Sequence, residues 1–279
     1  MRNLHVRRYT RILFFGFIPV AFAAAQGDIP VGEWRLHLSY NNIARVEVTP
    51  AKVYAASESG ILIFDRQDHS LRTINKLNGL SSTTITSLRY DEAHDQLLVG
   101  YEQGDVDIIQ PDAVTTFNRL RDADVVTSKT INHISTAGDF AYLSTDYGVV
   151  VFDLRQLEIQ ESWRDLGASG EGLPVHQSAS LRDSIYLATD KGVLAGHIYD
   201  NLLDYNSWER FEQGNFSGPI RALVPFNGKL YATGPTGVYG LSNDDWAKEA
   251  FLDTLIIQSL TSSSENLFMI TDSTVWAVS

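Results

Sequence analysis

The sequence predicts an all-β protein, a β-propeller of four-stranded blades. Three observations carry the prediction. Gly60, Gly104, Gly148, Gly192 and Gly237 stand 44, 44, 44 and 45 residues apart. Each lies in a polar turn between two apolar strands, so residues 52–66, 96–110, 140–154, 184–198 and 229–242 repeat one pattern. A sixth copy, 266–279, has Thr274 in the glycine position. No segment sustains a helical period of 3.6, which leaves helix a minor part.

The remaining strands of each unit follow from the same spacing. A short strand precedes each hairpin, beginning at Ile43, Ile85, Ile131, Val175, Ile220 and Ile256. A more polar strand follows it in residues 70–75, 114–119, 157–163, 207–212 and 245–250. Gly, Asn, Asp and Ser fill the gaps, as turn chemistry requires. Four strands in a period of about 40–45 residues mark a propeller blade. One twisted sheet cannot bury both of its faces, whereas sheets ringed around an axis bury each other. Residues 32–40, ahead of the first unit, read as an outermost strand that completes the last blade and closes a ring of six. The other reading is that a seventh blade follows.

The first residues are an address. Arg2, Arg7, Arg8 and Arg11 precede an apolar run, Ile12 to Phe22, which is too short to span a bilayer comfortably with such flanks. Ala23, Ala24 and Ala25 supply the small residues of a cleavage site. The sequence therefore predicts a signal peptide over 1–25 and a propeller domain over 26–279. A membrane anchor is the lesser reading of the same run. No later run approaches membrane length. Removing the signal leaves 18 basic and 34 acidic residues, a net charge of −16.

Composition excludes several functions. The absence of cysteine removes disulfides, thiolate metal sites and cysteine nucleophiles. An acidic chain is a poor match for nucleic acid, which needs clustered Lys and Arg. No HExxH, P-loop, GxSxG or dinucleotide fingerprint is present. Gly167–Gly172 reads as a flexible connection between blades three and four. The histidines after the signal are scattered without ligand spacing, so no metal and no cofactor is expected. His133 and His176 sit near the second position of innermost strands and read as satisfied, solvated rings. Asp105 and Asp107 read as the solvated edge of a hairpin, short of the oxygens calcium needs. Asp65, Asp146, Asp153 and Asp190 recur at matching blade positions and read as turn formers. Trp34, Trp163, Trp208, Trp246 and Trp276 read mostly as packing between blades.

Two resemblances add to this. Residues 78–110 (NGLSSTTITSLRYDEAHDQLLVGYEQGDVDIIQ) resemble two-component-regulator propeller repeats. The ordered set 29–43 (IPVGEWRLHLSYNNI), 76–80 (KLNGL), 97–109 (LLVGYEQGDVDII), 129–133 (KTINH) and 141–155 (AYLSTDYGVVVFDLR) resembles the start of the PorZ family of type IX secretion system surface proteins. That resemblance implies a protein with two propellers and a sorting domain. It also implies an outer-membrane attachment complex with a PorU-like sortase and other secretion-system proteins, in which anionic lipopolysaccharide is bound and presented. The present sequence holds one propeller, so it reads as a piece of such a protein or as a short relative.

The expected function is a non-enzymatic scaffold that binds the sortase and anionic lipopolysaccharide, at the outer-membrane-associated cell surface or in the periplasm. In a propeller, the loops entering the innermost strands and the turns of the middle hairpins share one face. Lys76, Arg121, Lys129, Arg164 and Lys191 lie near those pieces and are the expected ligand-binding residues, because an anionic glycan wants such donors on an acidic protein. A periplasmic ligand-sensing propeller of a two-component system is the first alternative. A propeller lyase or hydrolase is the second, and it would need a convergent acid–base set at the axis.

Overall fold

A hydroxyl three residues before a glycine can lock a hairpin turn. The hydroxyls of Ser57, Thr145 and Thr189 donate to the carbonyls of Gly60, Gly148 and Gly192 at 3.2, 3.0 and 2.9 Å. Each also accepts the amide two residues on, from Ser59, Tyr147 and Lys191. Thr271 does the same to Thr274 in the sixth unit, at 3.1 Å. Glycine is required in the first three for two reasons. Their φ angles are +138°, +133° and +131°, a region that side-chain-bearing residues avoid. A Cβ there would also lie 2.3, 2.0 and 2.2 Å from the carbonyl oxygens of Ile74, Trp163 and Phe211, at the ends of the neighbouring fourth strands. The 44-residue beat is thus the beat of a turn that carries a fourth strand past it.

The computed structural model describes residues 38–111, 113–120, 128–242, 245–249, 257–263 and 265–279. Six antiparallel meanders lie within the unit Ser39–Ser279. The first blade contains β1 (Ile43–Val48), β2 (Lys52–Ser57), β3 (Gly60–Asp65) and β4 (Leu71–Ile74), and the second β5 (Ile85–Asp91), β6 (Gln96–Tyr101), β7 (Val106–Gln110) and β8 (Ala113–Phe117). The third has β9 (Ile131–Ala137), β10 (Phe140–Thr145), β11 (Gly148–Asp153) and β12 (Glu158–Trp163). The fourth has β13 (Val175–Leu181), β14 (Ser184–Thr189), β15 (Gly192–His197) and β16 (Glu209–Phe211). The fifth has β17 (Leu223–Phe226), β18 (Lys229–Gly234), β19 (Gly237–Ser242) and β20 (Asp245–Lys248). The sixth has β21 (Ser259–Ser262), β22 (Leu267–Ile270) and β23 (Val275–Val278) among the described residues. The expected closing strand, 32–40, falls largely outside the described residues, as does the signal segment.

Stability comes from the seams. Tyr54, Ile61 and Ile63 of the first blade bury against Leu97, Val99 and Tyr101 of the second. Leu98, Val106 and Ile108 meet Leu143, Val150 and Phe152. Val149, Val151 and Trp163 meet Ile185, Leu187 and Leu194. Ala188 and Val193 meet Leu230, Ala232 and Tyr239, and Val224 and Val238 meet Leu260 and Met269. Alternate residues of β6 and of β10 therefore serve opposite seams, so these strands are buried nearly throughout. Such burial is worth about 25 cal/mol per Å² of apolar surface.

Among the described residues the tryptophans largely behave as read, and Trp34 lies outside them. Trp163 and Trp208 meet edge to face with ring centres 5.4 Å apart, and Trp246 packs on Phe216 at 5.0 Å. Trp276 differs, being 44% exposed on β23. The fourth strand of blade four is shorter than expected. Asp204 caps a 3-10 turn, Tyr205–Ser207, and pairing begins only at Glu209. The intervening Trp208 is buried and donates its indole N–H to the Leu202 carbonyl at 3.1 Å.

Candidate functional site

The six innermost strands, β1, β5, β9, β13, β17 and β21, all line one central cavity of about 460 Å³. Its wall carries Glu47, Arg89, His133, Ser135, Gln177 and Ser178 among other residues. Bulges near the start of β1, β5, β9 and β13 re-aim the side chains there.

One chain of contacts fixes the chemistry of His133. The amide of Leu223 donates to Gln177 Oε1 at 3.0 Å, which orients the Gln177 amide group. Gln177 Nε2 therefore faces His133 Nε2, 3.2 Å away, as the donor. His133 Nε2 is the acceptor, so the ring proton sits on Nδ1. Nδ1 is buried and has no hydrogen-bond partner. His133 is pushed down to about 3, first by burial and then by the charges of Arg89 and Arg45. The expected solvated histidine is thus replaced by a desolvated, neutral one. Arg89 is loosely held, with Nη1 3.8 Å from Glu47 Oε1 and Nε 3.4 Å from Thr136 Oγ1. Glu47 accepts the Tyr90 amide at 3.0 Å, and burial raises its carboxyl above the ordinary range.

His176 is satisfied, through a contact that the chain order hides. Its Nε2 lies 2.8 Å from Asp190 Oδ1, and Arg221 of the next blade reaches its Nδ1 at 3.0 Å. Asn132 and Asp146 make the matching pair one blade earlier, at 2.8 Å. Asp146 and Asp190 therefore hold innermost strands rather than their own turns. Asp65 and Asp153 do form turns, accepting the amides of Gln67 and of Arg155 and Gln156.

Asp107 corrects the reading of a solvated hairpin edge. It is fully buried and accepts the Tyr101 hydroxyl at 2.6 Å, the Ser81 amide at 2.8 Å and the Thr116 hydroxyl at 2.7 Å. Asp105, just ahead of β7, is buried as well. The seam that covers Asp107 was not legible in the sequence. Among the described residues no group of three or more His, Asp or Glu side chains could hold a metal.

Of the expected glycan-binding cations, the four among the described residues stand as separate points in loops and turns. Lys191, in the β14–β15 turn, is bonded to Glu171 of the incoming loop at 2.5 Å, and this draws the Glu171 carboxyl down to about 2. Arg164 stacks over Tyr147, 5.6 Å from the ring centre. Lys76 is exposed in the turn after β4, Lys129 is half-buried ahead of β9, and Arg121 lies outside the described residues. Gly167–Gly172 is a connecting loop, closed by the Gly167 amide on the Glu171 carbonyl at 2.8 Å.

These features define a six-bladed propeller with a polar axis. The PorZ N-terminal β-propeller domain of the type IX secretion system matches residues 53–209. The chain belongs to that family. None of the curated proteins matches. Among solved structures, PorZ of Porphyromonas gingivalis, described as an essential bacterial surface component of the type IX secretion system, superposes with a TM-score of 0.74 at 23% identity. The likeness covers 85% of this chain and 31% of that one. The extracellular domain of the putative one-component system BT4673 from B. thetaiotaomicron superposes with a TM-score of 0.64 at 19% identity, over 86% of this chain and 34% of that one. The chain thus spans about a third of the length of each of these neighbours. A chain of the mitotic checkpoint complex shares the fold at a TM-score of 0.61 and 15% identity, over 88% of this chain and 85% of that one.

Proposed function

We infer that this propeller is a non-enzymatic docking domain of a type IX secretion attachment complex, exported to the outer-membrane-associated surface. It holds the PorU-like sortase and offers its loop face to anionic lipopolysaccharide. Membership of the PorZ propeller family over residues 53–209 carries this reading. The axis supports a binding role over catalysis, because its histidine is held neutral by burial and is bonded to an amide rather than to a carboxylate. The glycan would engage Lys76, Arg121, Lys129, Arg164 and Lys191, and to do so it must compete with Glu171 for Lys191.

Mild crosslinking in intact cells, followed by purification from outer membranes and identification of the attached proteins, tests the reading. A sortase crosslinked to the loop face is the expected result. A sensor kinase in its place would overturn the reading and favour the sensing propeller.

A further inference from the structure

We propose that the axial cavity bounded by Arg89, His133, Ser135, Gln177 and Ser178 is a binding site for a small hydroxy-carboxylate of the size of one or two acidic sugar rings. The site lies on the axis and does not depend on the loop-face cations.

Size sets the first limit. About 460 Å³ is within the range of small-molecule sites, roughly 300–1,000 Å³. Donor chemistry sets the second. The orientation of Gln177 leaves the proton of His133 on Nδ1, and that buried N–H lacks an acceptor. An unpaired buried donor is costly, so a site that keeps one is suited to a ligand oxygen. Arg89 adds a guanidinium held only by contacts of 3.4 and 3.8 Å, so that it can turn toward a carboxylate with little loss. Ser178, buried, accepts the Ser144 hydroxyl at 3.1 Å and pairs with Ser135 at 2.7 Å, which leaves the half-buried Ser135 to meet a ligand hydroxyl.

Charge sets the third limit. Arg89 and Arg45 both act on the His133 ring, and no acid is among the groups that shift it. Among the described residues Arg89 is the one arginine or lysine on the cavity wall, in a protein of formal charge −12. A neutral imidazole also donates to an anion without needing to be protonated. Glu47 stands beside Arg89 on the wall, its Oε1 3.8 Å from the guanidinium, and accepts the Tyr90 amide. A ligand carboxylate displaces it from Arg89, and a second carboxylate would be repelled, so the site is matched to monoacids.

Calorimetric titration of the whole chain with D-galacturonate, with D-galactose as the neutral control, tests the proposal. The acid is expected to bind with a Kd in the micromolar to low millimolar range and the neutral sugar at least about tenfold more weakly, one charge-assisted contact being worth about that factor. Arg89→Gln should reduce acid binding by a similar factor. Should that variant not fold, nitrogen NMR of the His133 ring in the unaltered protein replaces it, and the Nδ1–H signal should move on adding the acid. Absence of binding, equal binding of acid and neutral sugar, or an unmoved His133 signal under saturating acid would overturn the proposal.

Discussion

The carboxylate of Asp107 and the hydroxyl of Tyr101 meet at 2.6 Å inside the second blade, with both side chains fully buried. Burial and the Asp107 charge push the Tyr101 hydroxyl far above its ordinary range, so it stays a donor. Tyr101→Phe should cost about 1.5–3 kcal/mol, the range for a hydrogen bond to a charged group. Asp107→Ala should cost more, because it also orphans the Ser81 amide and the Thr116 hydroxyl. Urea unfolding of both single variants and the double variant measures this, and the double variant should lose less than the sum of the two.

Two glycines with positive φ should respond very differently to alanine. At Gly148 the new Cβ would lie 2.0 Å from the Trp163 carbonyl oxygen. At Gly138, with φ +57°, it would meet nothing within 4 Å. Gly138→Ala should cost about 1–2 kcal/mol of left-handed backbone strain. Gly148→Ala should exceed about 4 kcal/mol or prevent folding. Thermal melts of the pair decide it.

The seam between blades three and four hangs on Trp163 and Trp208. Either one changed to alanine should cost about 3–5 kcal/mol. A double-mutant cycle should return about 0.5–1.5 kcal/mol of direct coupling between the rings.

His133 makes the fold sensitive to acid. Its folded pKa, about 3, lies below the ordinary histidine value of 6.5. Between those values the unfolded chain binds a proton that the folded one refuses, so stability is intact above about pH 6.5 and falls as pH drops toward 3. The slope from this one group approaches about 1.4 kcal/mol per pH unit. The urea midpoint measured from pH 7 to pH 4 should fall, and His133→Gln should fall less.

On the loop face, Glu171→Gln should release Lys191 and raise the affinity for an anionic glycan, whereas Lys191→Glu should lower it. Binding of purified lipopolysaccharide to the two variants, read by surface plasmon resonance, should move in opposite directions.

The blades were legible because Gly60, Gly148 and Gly192 answer a local demand, a turn in contact with a fourth strand, that only glycine meets. The Asp107 cage was not legible. Strand alternation separates a core face from a solvent face only where one face is wet, and β7, which carries Asp107, is buried on both sides from Val106 to Ile109. His133 depended on Gln177, which is 44 residues away in sequence but on the neighbouring strand in space. The cations were found by type and position, but the Glu171 that occupies Lys191 sits on another loop of the same blade joint.

The joints near the axis differ from one another. Thr86 donates to the Ile131 carbonyl at 2.7 Å, Asn132 to the Val175 carbonyl at 3.0 Å, and His176 receives Arg221. A chain of near-copies risks pairing the wrong neighbours while it folds. A threonine, an amide and an imidazole at equivalent places give each blade its own key to its successor. Exchanging two blades of identical length would keep every hairpin intact and still mismatch these locks, so the order of the ring is written at its hub and not in the repeat itself.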